Sequence, residues 1–435
     1  MNRIDILPDD VLLGIFDFYV EMNPSFYIEG GIEAWQRLVH VCRRWRRLVF
    51  GSPRRLNLRL YCTPETPARD TLNVWPALPL IVRGGMNPSG TDNVVAALEK
   101  SNRVCEVNLV NLDGWQLEQV TAAMHLPYPE LTTLLLTLNS ETIPIIPDSF
   151  LDGFATRLRH LFLRGIPFPG LPRLRLSPTH LVKLTLYDIP HSGYISPEAI
   201  VAHLSVLSSL EWLTLDFQSP QSRPDRETRR PPPSKRSVIP ALRSFAFKGV
   251  IEYLEDLVTG IDTPQLYEMR ITFFNQINLR IPRLTQFINR TIKLGKSVAS
   301  VLFYDNFARV ELSPRTFMID ISCREPDRQL SSIEQVCNSS LHPLPTVEDL
   351  YIRYGYWQLV WKNDAIESAL WLQLFLPFTA VKNLYLSKKF APDIAAALQE
   401  LVGGRITEWL PSLENIFVEG LEPWGPFQEK NWGVC

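Results

Sequence analysis

Hydrophobic and polar positions follow two different periods along this chain. Over the first fifty residues the period is helical. Val11, Leu12, Ile15, Phe16, Tyr19 and Val20 form one apolar stripe, and Trp35, Leu38, Cys42, Trp45 and Val49 form a second. Pro8 suits the first turn of a helix, where a missing N–H costs nothing, and Asp9 and Asp10 behind it complement the helix dipole. Two or three short helices are predicted, with a connection from Glu21 to Glu33 that carries Gly30-Gly31. A module of about 45 residues buries too little apolar surface to stand alone, so it needs a partner or a neighbouring domain.

Beyond Gly51-Ser52-Pro53 the period shortens. Leu56, Leu58 and Leu60 alternate as in a half-buried strand. One signature then returns: apolar-x-x-apolar-x-apolar. Clear copies stand at Val104/Val107/Leu109, Leu131/Leu134/Leu136, Leu158/Leu161/Leu163, Leu181/Leu184/Leu186, Leu210/Leu213/Leu215, Leu242/Phe245/Phe247 and Leu266/Met269/Ile271. Weaker or later ones are Val298/Val301/Phe303, Val347/Leu350/Ile352, Val381/Leu384/Leu386 and Leu413/Ile416/Val418, and Ala77/Leu80/Val82 reads as an earlier one. Starts at 104, 131, 158, 181 and 210 lie 27, 27, 23 and 29 residues apart, while the step from 298 to 347 is 49 and implies an insertion. Helices are predicted between the strands: over Asp92 to Ser101, after Ser196-Pro197-Glu198, at the capping-box pairs Ser331/Glu334 and Asp364/Glu367, and from Ala391-Pro392 to Gly403-Gly404. Val310, Leu312, Phe317, Ile319 and Ile321 around Ser313-Pro314-Arg315 read as an inserted β-hairpin.

These patterns carry two resemblances. Leu7-Pro8-Asp9-Asp10-Val11-Leu12 with Ile15-Phe16, closed by Val41-Cys42-Arg43-Arg44-Trp45-Arg46, resembles an F-box over residues 4–52. The recurring L-x-x-L-x-L resembles the strand segment of a leucine-rich repeat, whose period is about 20–29 residues. Such a repeat usually puts Asn or Cys three residues after the L-x-L. Here only Asn139 sits there, and Leu112, Ile166, Ile189, Val250 and Leu421 are apolar, so an irregular array without an asparagine ladder is expected. The F-box resemblance implies a Skp adaptor as partner and, through it, a cullin–RING ubiquitin ligase. It also implies that Leu7, Pro8, Val11, Leu12, Ile15, Phe16, Val41 and Trp45 bind the adaptor.

Composition narrows the remaining classes. The chain has 435 residues, 46% hydrophobic and 21% charged, with a net charge of −2. That balance offers no field for nucleic acid or membrane. The segment 218–240 carries Arg223, Arg226, Arg229, Arg230, Pro231-Pro232-Pro233, Lys235 and Arg236, and reads as a disordered basic, Pro-rich insertion. The six cysteines are dispersed without metal-ligand spacing, which suits a reducing compartment; no metal and no cofactor are expected. No secretory leader is expected at the N-terminus, and the longest apolar run, Ala369 to Val381, is too short for a bilayer. A cytoplasmic or nuclear protein is the expectation.

No phosphate-binding loop, nucleophile elbow or zinc-protease motif occurs, and His191-Ser192 has no placed acid partner. Cys42, on the second apolar stripe, is expected to be a buried inert thiol. No catalytic residue is assigned and no enzyme is expected. The fold expected is α/β: short all-α helices over 4–52, then a leucine-rich-repeat-like solenoid over 54–427. The expected role is a substrate-recognition subunit of a cullin–RING ligase. The other class is a non-catalytic scaffold or sensor that binds protein through the repeats without ligase assembly. In L-x-x-L-x-L the x positions that alternate away from the core face solvent on the sheet side. Trp212, Tyr267, Arg270, Tyr351 and Tyr385 occupy them and are the candidate contacts for an unknown protein substrate.

Overall fold

Most leucine triplets put one apolar residue before a strand and two inside it on one face, and the structure builds its sheets from that unit; Val104 and Val298 instead open their strands, Val298 half-buried with Ala299 in the core beside it. The computed structural model describes residues 6–22, 34–140, 142–177, 179–220, 236–274, 281–291, 298–312, 316–339, 344–355, 368–399, 409–419 and 432–434. The chain divides into two units, Met1–Ser177 and Pro178–Cys435. The boundary expected at 52–54 falls inside the first.

The first unit opens with helices α1 (Asp9–Met22), α2 (Ala34–Val39) and α3 (Arg43–Gly51). Strands β1 (Leu60–Cys62), β2 (Leu80–Gly85), β3 (Val104–Leu112), β4 (Thr133–Leu138) and β6 (His160–Arg164) follow in a parallel sheet, with β5 (Phe154–Ala155) pairing β7 (Arg175–Leu176) apart from it. Helices α4 (Ala68–Val74), α5 (Thr91–Leu98) and α6 (Gly114–Ala123) lie between strands in sequence and pack side by side. Register sets Val107, Leu134 and Leu161 in one line and Leu109, Leu136 and Leu163 in the next, all buried. The α1–α3 module leans on this sheet's start. Trp35 donates from Nε1 to the Arg59 carbonyl at 3.1 Å and meets Trp75 edge-on at 5.2 Å, with Phe50 beside both. A neighbour thus supplies the burial the small module lacks.

In the second unit the strands are β8 (Lys183–Ile189), β9 (Trp212–Phe217), β11 (Ser244–Gly249), β13 (Glu268–Phe273), β14 (Val298–Phe303), β15 (Phe307–Leu312), β16 (Phe317–Ser322), β17 (Asp349–Tyr354), β18 (Asn383–Leu386), β19 (Asn415–Glu419) and β20 (Trp432–Val434). Their order in the sheet is β8-β9-β11-β13-β16-β15-β14-β17-β18-β19-β20. A small pair, β10 (Ser237–Val238) with β12 (Ile261–Asp262), stands outside it. The expected hairpin is present: Leu312 faces Phe317 in antiparallel register, and β15 also pairs antiparallel with β14. It inserts between β13 and β14 as two extra strands, which accounts for part of the 49-residue step. The helices are α7 (Pro197–Leu204), α8 (Ile251–Gly260), α9 (Pro282–Thr291), α10 (Pro326–Asn338), α11 (Ser368–Phe375) and α12 (Ala391–Gln399). Neighbouring repeats also join by capping. Glu255 on α8 accepts the N–H groups of Leu284 and Arg283 at 2.7 and 3.1 Å, satisfying the orphan donors at the start of α9. Burial pushes the Glu255 carboxyl above its ordinary value against those bonds.

Several expectations change. Leu56 and Leu58 are buried, but Leu56 lies in a turn and Leu58 in irregular chain, and the first strand starts only at Leu60. Leu78, not the exposed Ala77, fills the first core position before β2. Ser331 and Glu334 sit inside α10, so they cap nothing, whereas Asp113 and Gln116 form the reciprocal capping box of α6. Ser196 caps α7 as expected. The positions after the L-x-L hold Leu112, Ile166, Ile189 and Val250 in the core, while Asn139 is exposed. The chain turns there at Asn111 and Asp188, both with positive φ, which short polar side chains tolerate. The 218–240 insertion is ordered at both ends: Gln218 N–H donates to the Ile189 carbonyl, and Ser237–Val238 form β10. Its middle, 221–235, lies outside the described residues, as do Gly30-Gly31, Asp364/Glu367, Gly403-Gly404 and Leu421.

Candidate functional site

Two surfaces hold the residues singled out by sequence. The first is the outer face of α1–α3. Helix α1 opens at Asp9, behind Pro8, whose carbonyl accepts the Leu12 N–H. The single stripe expected on α1 is in fact two. Leu12 and Phe16 point inward and are fully buried, Phe16 lying 4.6 Å from the half-buried ring of Trp45. These three therefore support the module from beneath. Val11, Ile15, Phe18 and Met22, at i, i+4, i+7 and i+11, point outward, with Phe18 64% and Met22 66% exposed. Ile6 before the helix and Val41 before α3 are exposed too, and Leu7 is half-buried and Pro8 exposed. Ile6, Phe18 and Met22 were missed by the sequence reading, although the i+4, i+7 spacing from Val11 was there to be read.

The loop that carries Val41 is pinned at both ends. Arg46 Nε donates to the Val39 carbonyl at 3.0 Å. Cys42 is exposed, not buried as expected. Helix α2 ends at Val39 and α3 begins anew at Arg43, so Cys42 falls at the N-cap, where its Sγ accepts the Trp45 N–H at 3.5 Å. The apolar stripe from Trp35 to Val49 breaks at this cap.

The second surface is the sheet side of the second unit. Cross-strand register places Arg270, Met318, Glu311, Ser300, Tyr351, Tyr385 and Phe417 in one line. Arg270 and Tyr351 are four strands apart in it, roughly 19 Å at ~4.8 Å per strand. The five candidate residues thus fall into two groups. Trp212, 37% exposed, and Tyr267, 55% exposed, lie near Arg270 at β9–β13. Tyr351 and Tyr385 stack face to face at 4.2 Å, half-buried, and Tyr385 stacks on Phe417 at 4.7 Å. The Arg353 guanidinium covers the Tyr351 ring at 4.3 Å. Burial pushes the Tyr351 hydroxyl up to about 12, helped by Tyr385 and Asp349. Phe417 was missed, though it holds the same x position as Tyr351 and Tyr385. Below this stack Asn383 donates to Asp349 at 2.8 Å and Asn415 to Asn383 at 2.9 Å.

Several charges on this side are matched in place. Arg309 bonds Asp320 at 2.6 and 2.8 Å, Lys248 bonds Asp216 at 3.0 Å, and Arg270 pairs with Glu268. Arg243 meets Glu211 at 3.9 Å and Lys382 meets Glu348 at 3.5 Å. Burial raises the Asp216 carboxyl, and Lys248 opposes that shift. His191 does pair with a serine, but it is Ser219, at 2.9 Å and at the surface. Among the described residues no His/Cys/Asp/Glu group could hold a metal ion, and no helix is long and apolar enough to cross a membrane.

The chain is a mixed α/β protein built on large, mainly parallel sheets. No family model matches it, and no curated protein matches it in sequence. Among solved structures, one similar to it is the leucine-rich repeat-containing protein LegL7 from Legionella pneumophila, at 11% identity and a TM-score of 0.28 over 83% of this chain and 90% of that one. A likeness that loose carries no argument, and the fold described above rests on this chain's own strand pairing.

Proposed function

We propose that this protein is a substrate receptor of a cullin–RING ubiquitin ligase. Its α1–α3 module acts as an F-box that docks a Skp adaptor, and its strand–helix units act as leucine-rich-repeat-like modules that hold a protein substrate. The observation that carries the first half is the apolar stripe Val11, Ile15, Phe18 and Met22, left bare on a helix that begins at Asp9-Asp10 behind Leu7-Pro8. A small module that keeps Leu12 and Phe16 for its own core and still exposes four large apolar residues in one line has the composition of an interface. The substrate half rests on Trp212, Tyr267 and the Tyr351–Tyr385–Phe417 stack. Such a receptor does no bond chemistry. It raises the local concentration of substrate lysines near a charged conjugating enzyme, so its contribution is proximity and orientation.

Two variants of the full chain test both halves in one pulldown. Leu7→Ala/Pro8→Ala should lose the adaptor and keep the protein interactors. The variant with alanine at 212, 267, 270, 351 and 385 should keep the adaptor and lose interactors. An adaptor signal undiminished by the first variant overturns the docking assignment. Interactors retained by a native chain that captures no adaptor favour the scaffold class instead.

A further inference from the structure

The outer face of the N-terminal module is assembled from three separate pieces of chain. Ile6 and Leu7 come from the lead-in, Val11 to Met22 from α1, and Val41 from the loop before α3. A composite face binds well only if its pieces are already in register, because ordering them on contact opposes binding. Hydrophobic packing beneath, Phe16 on Trp45, fixes α1 against α3. That ring contact lies outside the lead-in, where Ile6 is 76% exposed and Leu7 half-buried.

One side chain does reach it. Arg44, in the first turn of α3, donates from Nε and from a terminal nitrogen to Asp9 Oδ1 at 3.0 and 2.7 Å. The same terminal nitrogen donates to the Leu7 carbonyl at 2.5 Å. That carbonyl lies ahead of the helix, outside its hydrogen-bond ladder. A planar guanidinium with fixed donor directions can hold both acceptors at once, which a lysine ammonium on a flexible stem does poorly. Through Asp9 it grips the first turn of α1, and through Leu7 it sets the angle at which the lead-in enters. It stands three residues from Val41, whose loop Arg46 ties to α2. We propose that Arg44, with Asp9, is the positioning residue of the adaptor-docking face: it contributes by holding the Ile6–Leu7 lead-in in register with α1 and Val41, not by touching the partner. This inference rests on the adaptor-docking reading above.

The test is a binding titration of the full chain with a purified Skp-type adaptor, set as a double-mutant cycle. Arg44→Gln should weaken binding about tenfold, with the thermal midpoint unchanged and faster amide exchange around Leu7. Arg44→Lys should fall between. In a Leu7→Ala background, where the lead-in contact is already lost, Arg44→Gln should weaken binding far less. Equal loss in both backgrounds makes Arg44 a direct contact and overturns the positioning role, as does an unchanged affinity. A thermal midpoint that falls in step with affinity reduces Arg44 to a stability residue and also overturns it. A native chain that does not bind the adaptor removes the docking reading and this inference together. A native chain that binds, with Arg44→Gln indistinguishable from it, removes this inference alone.

Discussion

At the scale of single residues, the N-terminal helix separates two roles that its sequence merges. Leu12 and Phe16 are core, while Phe18 and Met22 are surface. Leu12→Ala should therefore destabilise the first unit by ~2–5 kcal/mol and Phe16→Ala by ~3–5 kcal/mol, through cavities under α1. Phe18→Ala should change stability by less than about 0.5 kcal/mol, as an exposed substitution does. Denaturant titration of the three variants checks the split, and equal losses at Phe16 and Phe18 would contradict the placement. Why the sequence merged them is physical. Val11-Leu12 and Ile15-Phe16 are adjacent apolar pairs, each spanning about 100° of the helix, and only the packing partner Trp45 decides which member turns inward. Cys42 was misplaced for a related reason: an apolar stripe at helical spacing gives no sign that the helix stops and restarts within it.

At the scale of elements, the strands were the most legible part of the chain. A triplet with period 2 and two buried leucines leaves a strand little choice of face, and the buried rows follow the triplets from Val107 to Leu386. Caps and edges were less legible. Asp113/Gln116 and Ser331/Glu334 have the same spacing, and only the surrounding helix length tells a cap from an interior pair. The aromatic ladder was half visible, since neighbouring strands must be in register before Tyr351, Tyr385 and Phe417 can meet. Tyr385 is its middle rung, so Tyr385→Ala should remove two stacking contacts of ~0.5–1.5 kcal/mol each beyond lost burial. It should also bring the Tyr351 hydroxyl down from about 12 towards its ordinary value, because burial and Tyr385 both raise it. The sign is definite. A tyrosine whose hydroxyl is raised in the folded state favours the neutral form there, so stability falls as pH rises from about 10. Tyrosinate absorbance across that range, with the amplitude of the deleted tyrosine subtracted, should show the Tyr351 step moved to lower pH in the variant. A Tyr351 step left at its original pH would separate Tyr351 from the stack.

At the scale of the whole molecule, the chain combines a module that shows apolar side chains with strand–helix units that show aromatic rings among matched charges. With Arg309–Asp320, Lys248–Asp216 and Arg270–Glu268 neutralised in place, these three cations offer little to a polyanion, so recognition across them should depend only weakly on salt. The identity of the proposed partner was not legible, because a surface with Trp212, Tyr267 and a stacked ladder names a kind of contact and no particular protein. Calorimetric titration of the purified full chain with a Skp-type adaptor decides whether α1 and its neighbours form the proposed adaptor-docking face. The native chain should bind saturably, one to one. Ile15→Asp/Phe18→Asp should lose at least a hundredfold in affinity, about 2.7 kcal/mol or more, with the thermal midpoint unchanged. No binding by the native chain, or equal binding by the charged variant, would contradict that docking face.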